Sequence, residues 1–180
     1  AVNAGTPLNN KGANFISSIT PDGLSMTVLL GNIYGKRDKM KPGVSIATKS
    51  GDGWSEPQEI NMINAYIEDS DGNYFLGNDR RTIIMAVNRY DSYGGKDLYV
   101  SFLQEDGRWT EPLNLGNDLN TAHDEFSPFL AADNETLYFS SKGYSGFGGA
   151  DIYISRRLDD TWRRWTEPEN LGSDINSTGD

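Results

Sequence analysis

Cysteine is absent from the 180 residues, which excludes both a disulfide framework and a thiolate metal site. No apolar run approaches the ~20 residues a membrane-spanning helix needs. The longest, Ile83-Ile84-Met85-Ala86-Val87, has the length of a strand. Basic residues are the minority: 16 Lys and Arg stand against 26 Asp and Glu, a formal charge of −10. That balance argues against nucleic acid and against docking on anionic lipid, both of which need clustered cations. A single histidine is present, His123, and there is no Gly-x-Ser-x-Gly elbow, phosphate loop, dinucleotide fingerprint or zinc motif. No stretch shows a helical period. Ala1-Val2-Asn3-Ala4-Gly5 resembles neither a signal peptide nor a lipidation site, so an export signal is expected outside these residues.

What the chain has instead is repetition. Trp54-Ser55-Glu56-Pro57, Trp109-Thr110-Glu111-Pro112 and Trp165-Thr166-Glu167-Pro168 follow one another at spacings of 55 and 56 residues. Gly94-Gly95-Lys96-Asp97-Leu98-Tyr99 returns as Gly148-Gly149-Ala150-Asp151-Ile152-Tyr153 at an offset of 54. Nine of thirteen positions from Trp109 to Thr121 are identical to those from Trp165 to Ser177. Each period holds four short segments rich in aromatic and β-branched residues, separated by Gly, Asp, Asn and Ser, which reads as four antiparallel strands. A period in the fifties with four strands points to propeller blades. The expectation is an all-β protein of three four-stranded antiparallel β-propeller blades, forming part of a larger propeller.

The expected divisions are an inter-blade linker at 1–13, then blades at 14–64, 65–121 and 122–180. Strands are expected near Phe15–Thr20, Met26–Leu30, Val44–Lys49 and Trp54–Ile60; Tyr74–Gly77, Thr82–Asn88, Asp97–Leu103 and Trp109–Leu115; Phe126–Ala131, Thr136–Ser141, Asp151–Arg156 and Trp165–Leu171. Pro21-Asp22-Gly23 is a turn by mechanism, because Pro presets φ and Gly accepts a positive one. Gly5-Thr6-Pro7-Leu8-Asn9-Asn10 aligns with Gly116–Thr121 and Gly172–Ser177. Three blades are too few to close a ring of about 4–8, so further blades are expected from the same chain, or from a second copy.

The repeated residues have structural explanations. Gly95 and Gly149 permit a sharp turn, and Asp97 and Asp151 cap it by accepting backbone N–H groups. Calcium is the alternative for such Asp-rich turns, but no blade assembles the alternating acidic series of a calcium loop, so no cofactor and no metal are expected. Trp54, Trp109 and Trp165 recur once per blade and are expected to pack between blades. The residues the repeat does not explain are the candidate contact residues. These are Trp162, Arg163 and Arg164 in an insertion peculiar to blade three, and His123 and Asp124 in the linker before it.

The segment Ser127–Ser141 followed by Gly-Gly-x-Asp-Ile-Tyr resembles the TolB-type WD-like β-propeller repeat. The version with Trp-Thr-Glu-Pro and Asn-Leu-Gly-x-x-(Leu/Ile)-Asn is similar to that of Bacteroidetes envelope proteins of the OmpA family and the type IX secretion system. The resemblance implies a non-enzymatic scaffold in the periplasm or at the outer membrane, without membrane insertion, that binds protein partners. A carbohydrate-binding or carbohydrate-active propeller is the alternative, motivated by the aromatic and acidic loops.

Overall fold

The computed structural model describes residues 3–12, 14–21, 26–67 and 72–179. The expected Asp22-Gly23 turn and the acidic stretch Asp69-Ser70-Asp71 lie outside them. The chain forms three antiparallel sheets in succession. The first contains β1 (Ile16–Pro21), β2 (Met26–Tyr34), β3 (Met40–Ser50), β4 (Gly53–Trp54) and β5 (Gln58–Glu59). The second contains β6 (Asn73–Leu76), β7 (Thr82–Val87), β8 (Asp97–Phe102) and β9 (Leu113–Asn114). The third contains β10 (Glu125–Leu130), β11 (Thr136–Ser141), β12 (Asp151–Arg156) and β13 (Glu169–Asn170). Consecutive strands pair in each, save that β5 follows β4 along the same edge of β3, so the all-β blade architecture expected from the repeats is what the chain adopts.

The two-residue period of a strand divides each central blade residue between two neighbours. Along β7, Ile83, Met85 and Val87 pack with Leu29, Val44 and Trp109 between blades one and two. Their alternates Ile84 and Ala86 pack with Leu130, Leu137 and Phe139 between blades two and three. Both faces of β7 are therefore buried, and this is why its sequence is an unbroken apolar run. In β12 the alternation reappears, with Asp151, Tyr153 and Ser155 buried and Ile152 exposed.

The outer strands differ from expectation. Instead of unbroken strands over Trp54–Ile60, Trp109–Leu115 and Trp165–Leu171, each ladder is split around its proline. Pro57, Pro112 and Pro168 have no N–H to offer. At each break the hydroxyl two residues before the proline serves as the acceptor that a ladder carbonyl would otherwise be. Thr110 Oγ1 accepts the Phe102 N–H at 3.0 Å, Thr166 Oγ1 accepts that of Arg156 at 2.9 Å, and Ser55 Oγ accepts that of Thr48 at 3.1 Å. The recurring Trp-(Ser/Thr)-Glu-Pro is thus a strand interruption with its own hydrogen-bond replacement.

Blade one departs in a second way. β2 and β3 run to nine and eleven residues, well beyond the expected Met26–Leu30 and Val44–Lys49. They form a hairpin arm that outreaches the six-residue central strands of the other blades. The arm closes where the Gly35 N–H donates to the Lys39 carbonyl at 2.8 Å, over a short 3-10 turn at Lys36–Asp38. A Cβ at position 35 would collide with that carbonyl.

The first strand of each blade faces the common axis, and these strands are joined by side chains. Ser17 Oγ donates to the Tyr74 carbonyl and accepts the Tyr74 N–H, and Ser18 Oγ accepts the Leu76 N–H at 2.9 Å. Asn73 Oδ1 accepts the Ser127 N–H at 3.1 Å. Ser127, at φ 50, sits in the irregularity that interrupts the β10 ladder.

Candidate functional site

Where the axial strands begin, an open cleft of ≈ 500 Å³ is lined by Phe15, Asn73, Lys96, Asp124, Phe126 and Lys142 together with Gly72 and Ser127. It continues along the axis into a second hollow between Ser17, Tyr74, Phe75 and Phe129. The lining comes from all three blades. Phe15 precedes β1, Asn73 opens β6, Lys96 precedes β8, and Asp124 and Phe126 lie at the start of β10. Lys142 follows β11.

Asp124 is the one carboxylate lining this cleft among the described residues. Its Oδ2 meets Lys142 Nζ at 3.0 Å and its Oδ1 accepts the Lys96 N–H at 3.1 Å. The Lys142 ammonium, and after it the Lys96 N–H, hold the carboxyl below the usual carboxylate range. It is therefore ionised at neutral pH and suited to accept hydrogen bonds. A Cβ at Gly95 would collide with Asp124 Oδ1, so the second glycine of Gly-Gly-x-Asp gives this carboxylate its room. A Cβ at Gly94 would strike the linker backbone at Ala122 and His123.

The neighbouring Glu125 has a different environment. It is fully buried and accepts the Thr121 N–H at 3.0 Å and the hydroxyls of Thr121 and Ser141, each at 2.7 Å. Burial raises its pKa against those bonds. It ties the linker to blade three rather than facing the cleft.

The other candidates lie apart. His123 is exposed, its N–H donates to Thr121 Oγ1, and it does not line the cleft. Trp162, Arg163 and Arg164 belong to the outer rim, at the opposite side of the blade from Asp124. Contrary to the expectation of a contact residue, Trp162 is only 9 % exposed. It lies edge-on to Phe102 at 5.4 Å and to Trp165 at 6.0 Å, with the Arg157 guanidinium 4.6 Å from its ring centroid. The insertion fills the groove between blades two and three, so its tryptophan is consumed by packing. Arg164 pairs with Asp118 of the preceding linker at 3.4 Å, and Arg163 is exposed.

Asp97 Oδ2 accepts the Tyr93 N–H and the Asn114 amide, at 2.8 and 2.9 Å. Asp151 accepts the Phe147 N–H, while Gly149 is exposed. Trp109 and Trp165 are buried between adjacent blades, and Trp54 packs by Leu8 of the first linker. Among the described residues no three His, Asp or Glu side chains are grouped to hold a metal.

Sequence reasoning missed Lys96, Lys142, Asn73, Phe15 and Phe126. One signal was available: Lys96 stands where the other copy of Gly-Gly-x-Asp has Ala150.

No family model matches the chain, and no curated protein does. Solved structures do. The xyloglucan PUL protein GH43B of Bacteroides ovatus is similar over 86 % of this chain, at 13 % identity and a TM-score of 0.51. The α-L-arabinanase of Penicillium chrysogenum, solved with arabinobiose, is similar over 86 % of this chain, at 16 % identity and a TM-score of 0.51. The chain spans 28 % and 47 % of the lengths of these two proteins. Identities this low show a shared fold. They also correct two expectations, because the neighbours are not TolB-type, OmpA-family or type IX secretion proteins, and their names are those of carbohydrate-active proteins. The envelope resemblance and the non-enzymatic scaffold are set aside accordingly. Of the two functions read from the sequence, the carbohydrate-binding or carbohydrate-active propeller is the one that matches the names of these neighbours.

Proposed function

We propose that the chain forms part of a carbohydrate-active propeller whose axial cleft receives a glycan. The observation that carries this reading is the setting of Asp124, an ionised carboxylate fixed between Lys96 and Lys142 at the mouth of a cleft shared by three blades. Sugar hydroxyls are matched by such a carboxylate–ammonium pair, which offers acceptors and donors side by side. The rings of Phe15 and Phe126 supply apolar surface for the faces of the pyranose or furanose. The fold shared with an arabinanase and a xyloglucan-locus protein supports the same class of ligand. Hydrolysis needs a second carboxyl group as acid, so the described residues account for recognition and for one of the two carboxylates.

Calorimetric titration with arabinobiose and with xyloglucan oligosaccharides tests this. Binding is expected for at least one of them, and Asp124→Asn and Phe126→Ala are each expected to weaken it about tenfold. Absence of binding to both, or binding indifferent to both substitutions, overturns the reading.

A further inference from the structure

The arm of blade one carries a charge unlike the rest of the molecule. Four of the chain's sixteen basic residues, Lys36, Arg37, Lys39 and Lys41, lie within six consecutive positions, with Asp38 the single acid among them. All four are exposed, and no ion pair among the described residues engages them. The body that bears this arm has a formal charge of −10 with the arm included.

The arm is anchored rather than loose at its base. Tyr34 Oη donates to the Leu8 carbonyl at 2.7 Å, and the Asn10 amide reaches Met40 Sδ at 3.5 Å, which ties one face of the hairpin to the first linker. On the other face Ile33 covers Gly43, where a Cβ would collide with it. The position of the tip follows from strand direction. β2 runs antiparallel to β1, so the β2–β3 apex rises from the end at which β1 begins. That is the end of the axial cleft, and Phe15 lines both the cleft and the recess beside Tyr34.

We infer that the basic arm is an accessory site for an acidic polysaccharide, holding uronate or other anionic groups of a chain whose neighbouring units reach the axial cleft. This rests on the carbohydrate reading of the cleft and names the charge of its ligand. A thread of anions can touch the arm and avoid the acidic body, whereas an anionic membrane brings a whole plane of charge against it. The tip, Gly35-Lys36-Arg37-Asp38-Lys39, also lacks any apolar side chain to insert into lipid. It equally lacks the aromatic platforms on which nucleic-acid bases stack.

Affinity electrophoresis of the whole chain in gels containing polygalacturonate tests the inference. Wild type is compared with K36Q/R37Q/K39Q/K41Q and with the charge-keeping K36R/K39R/K41R. The expected result is retardation of wild type and of the arginine variant, with affinity at least about tenfold lower in the glutamine variant, and retardation that fades as salt rises. Equal retardation of all three, or of none, overturns the arm as a glycan site. Equally strong binding to a single-stranded oligonucleotide or to phosphatidylglycerol vesicles overturns its assignment to polysaccharide. Titration with neutral arabinobiose in parallel reads the cleft independently, so failure of the arm and failure of the cleft give different outcomes.

Discussion

Asn120 binds Leu98 as a neighbouring strand would: the Leu98 N–H donates to Asn120 Oδ1 at 2.7 Å, and Asn120 Nδ2 donates back to the Leu98 carbonyl at 3.0 Å. The same amide reaches Asn114 Oδ1, which also accepts the N–H of Gly116 at φ 88. Asn176, Ile152, Asn170 and Gly172 repeat the arrangement in blade three. In the first linker Asn3 Oδ1 likewise accepts from the Gly5 N–H and the Asn9 amide. The recurring Asn-Leu-Gly-x-x-(Leu/Ile)-Asn is therefore a clasp that fastens each linker to the blade it leaves. Its side-chain amides stand in for a missing strand.

Asn120→Ala strands the Leu98 N–H in a buried site, where an unsatisfied group costs about 1–3 kcal/mol, while the Leu98 carbonyl keeps the Leu115 N–H at 3.0 Å. Denaturant unfolding is expected to show a loss of about 1–3 kcal/mol. Asn9→Ala, whose amide bonds Asn3 in an exposed setting, is expected to change stability far less. Equal effects at the two positions contradict the clasp.

Trp162→Ala removes a ring from the core between blades two and three, and truncation of a buried Trp costs about 3–5 kcal/mol. The expected outcome is a large drop in the unfolding midpoint, with Trp162→Phe recovering much of it. Affinity for a glycan in the axial cleft stays unchanged in the Phe variant. Loss of glycan binding in a stably folded Trp162→Phe protein shows that the insertion contacts ligand.

Burial raises the Glu125 carboxyl above its ordinary value, outweighing the bonds from Thr121 and Ser141. A carboxyl raised in the folded state holds its proton more tightly there than in the unfolded chain. Its contribution to stability is present below the unfolded value and is lost as pH rises through the folded one. Asp97, also raised by burial, is present in both proteins, and its charge is a further part of what raises Glu125. Thermal melts of wild type and Glu125→Gln from about pH 4 to about pH 7 are expected to diverge, with the difference moving towards the variant as pH rises. A difference constant across that range contradicts the assignment.

The blades were readable from the sequence because their information is local and repeated. The Gly-Gly-x-Asp turns and the three tryptophans recur at spacings that a repeated four-strand unit explains, and the apolar run of β7 has the length of one strand. The split outer strands were misread because Trp and Thr favour strands and a proline is tolerated in an outer strand. The missing proline N–H matters only once a ladder partner is present. Trp162 stood out as a candidate contact residue because it has no counterpart in the other blades, and the partners that bury it, Phe102 of blade two and Arg157, lie at positions the repeat does not link to it. The cleft was hidden for a different reason. Asp124 stood out as a linker residue, but Lys96 and Lys142 come from loops 46 positions apart and meet it only when blades two and three are packed about one axis.

The central claim, a glycan site at the start of the axial strands, is tested most directly by mapping bound arabinobiose or a xyloglucan oligosaccharide through backbone amide chemical shifts. The account predicts saturable shifts at Phe15, Asn73, Lys96 and Phe126 that disappear in Asp124→Asn while the rest of the spectrum is kept. Shifts centred on the outer rim around Trp162–Arg164, or none at concentrations up to about 10 mM, where weak sugar binding is still measurable, contradict it.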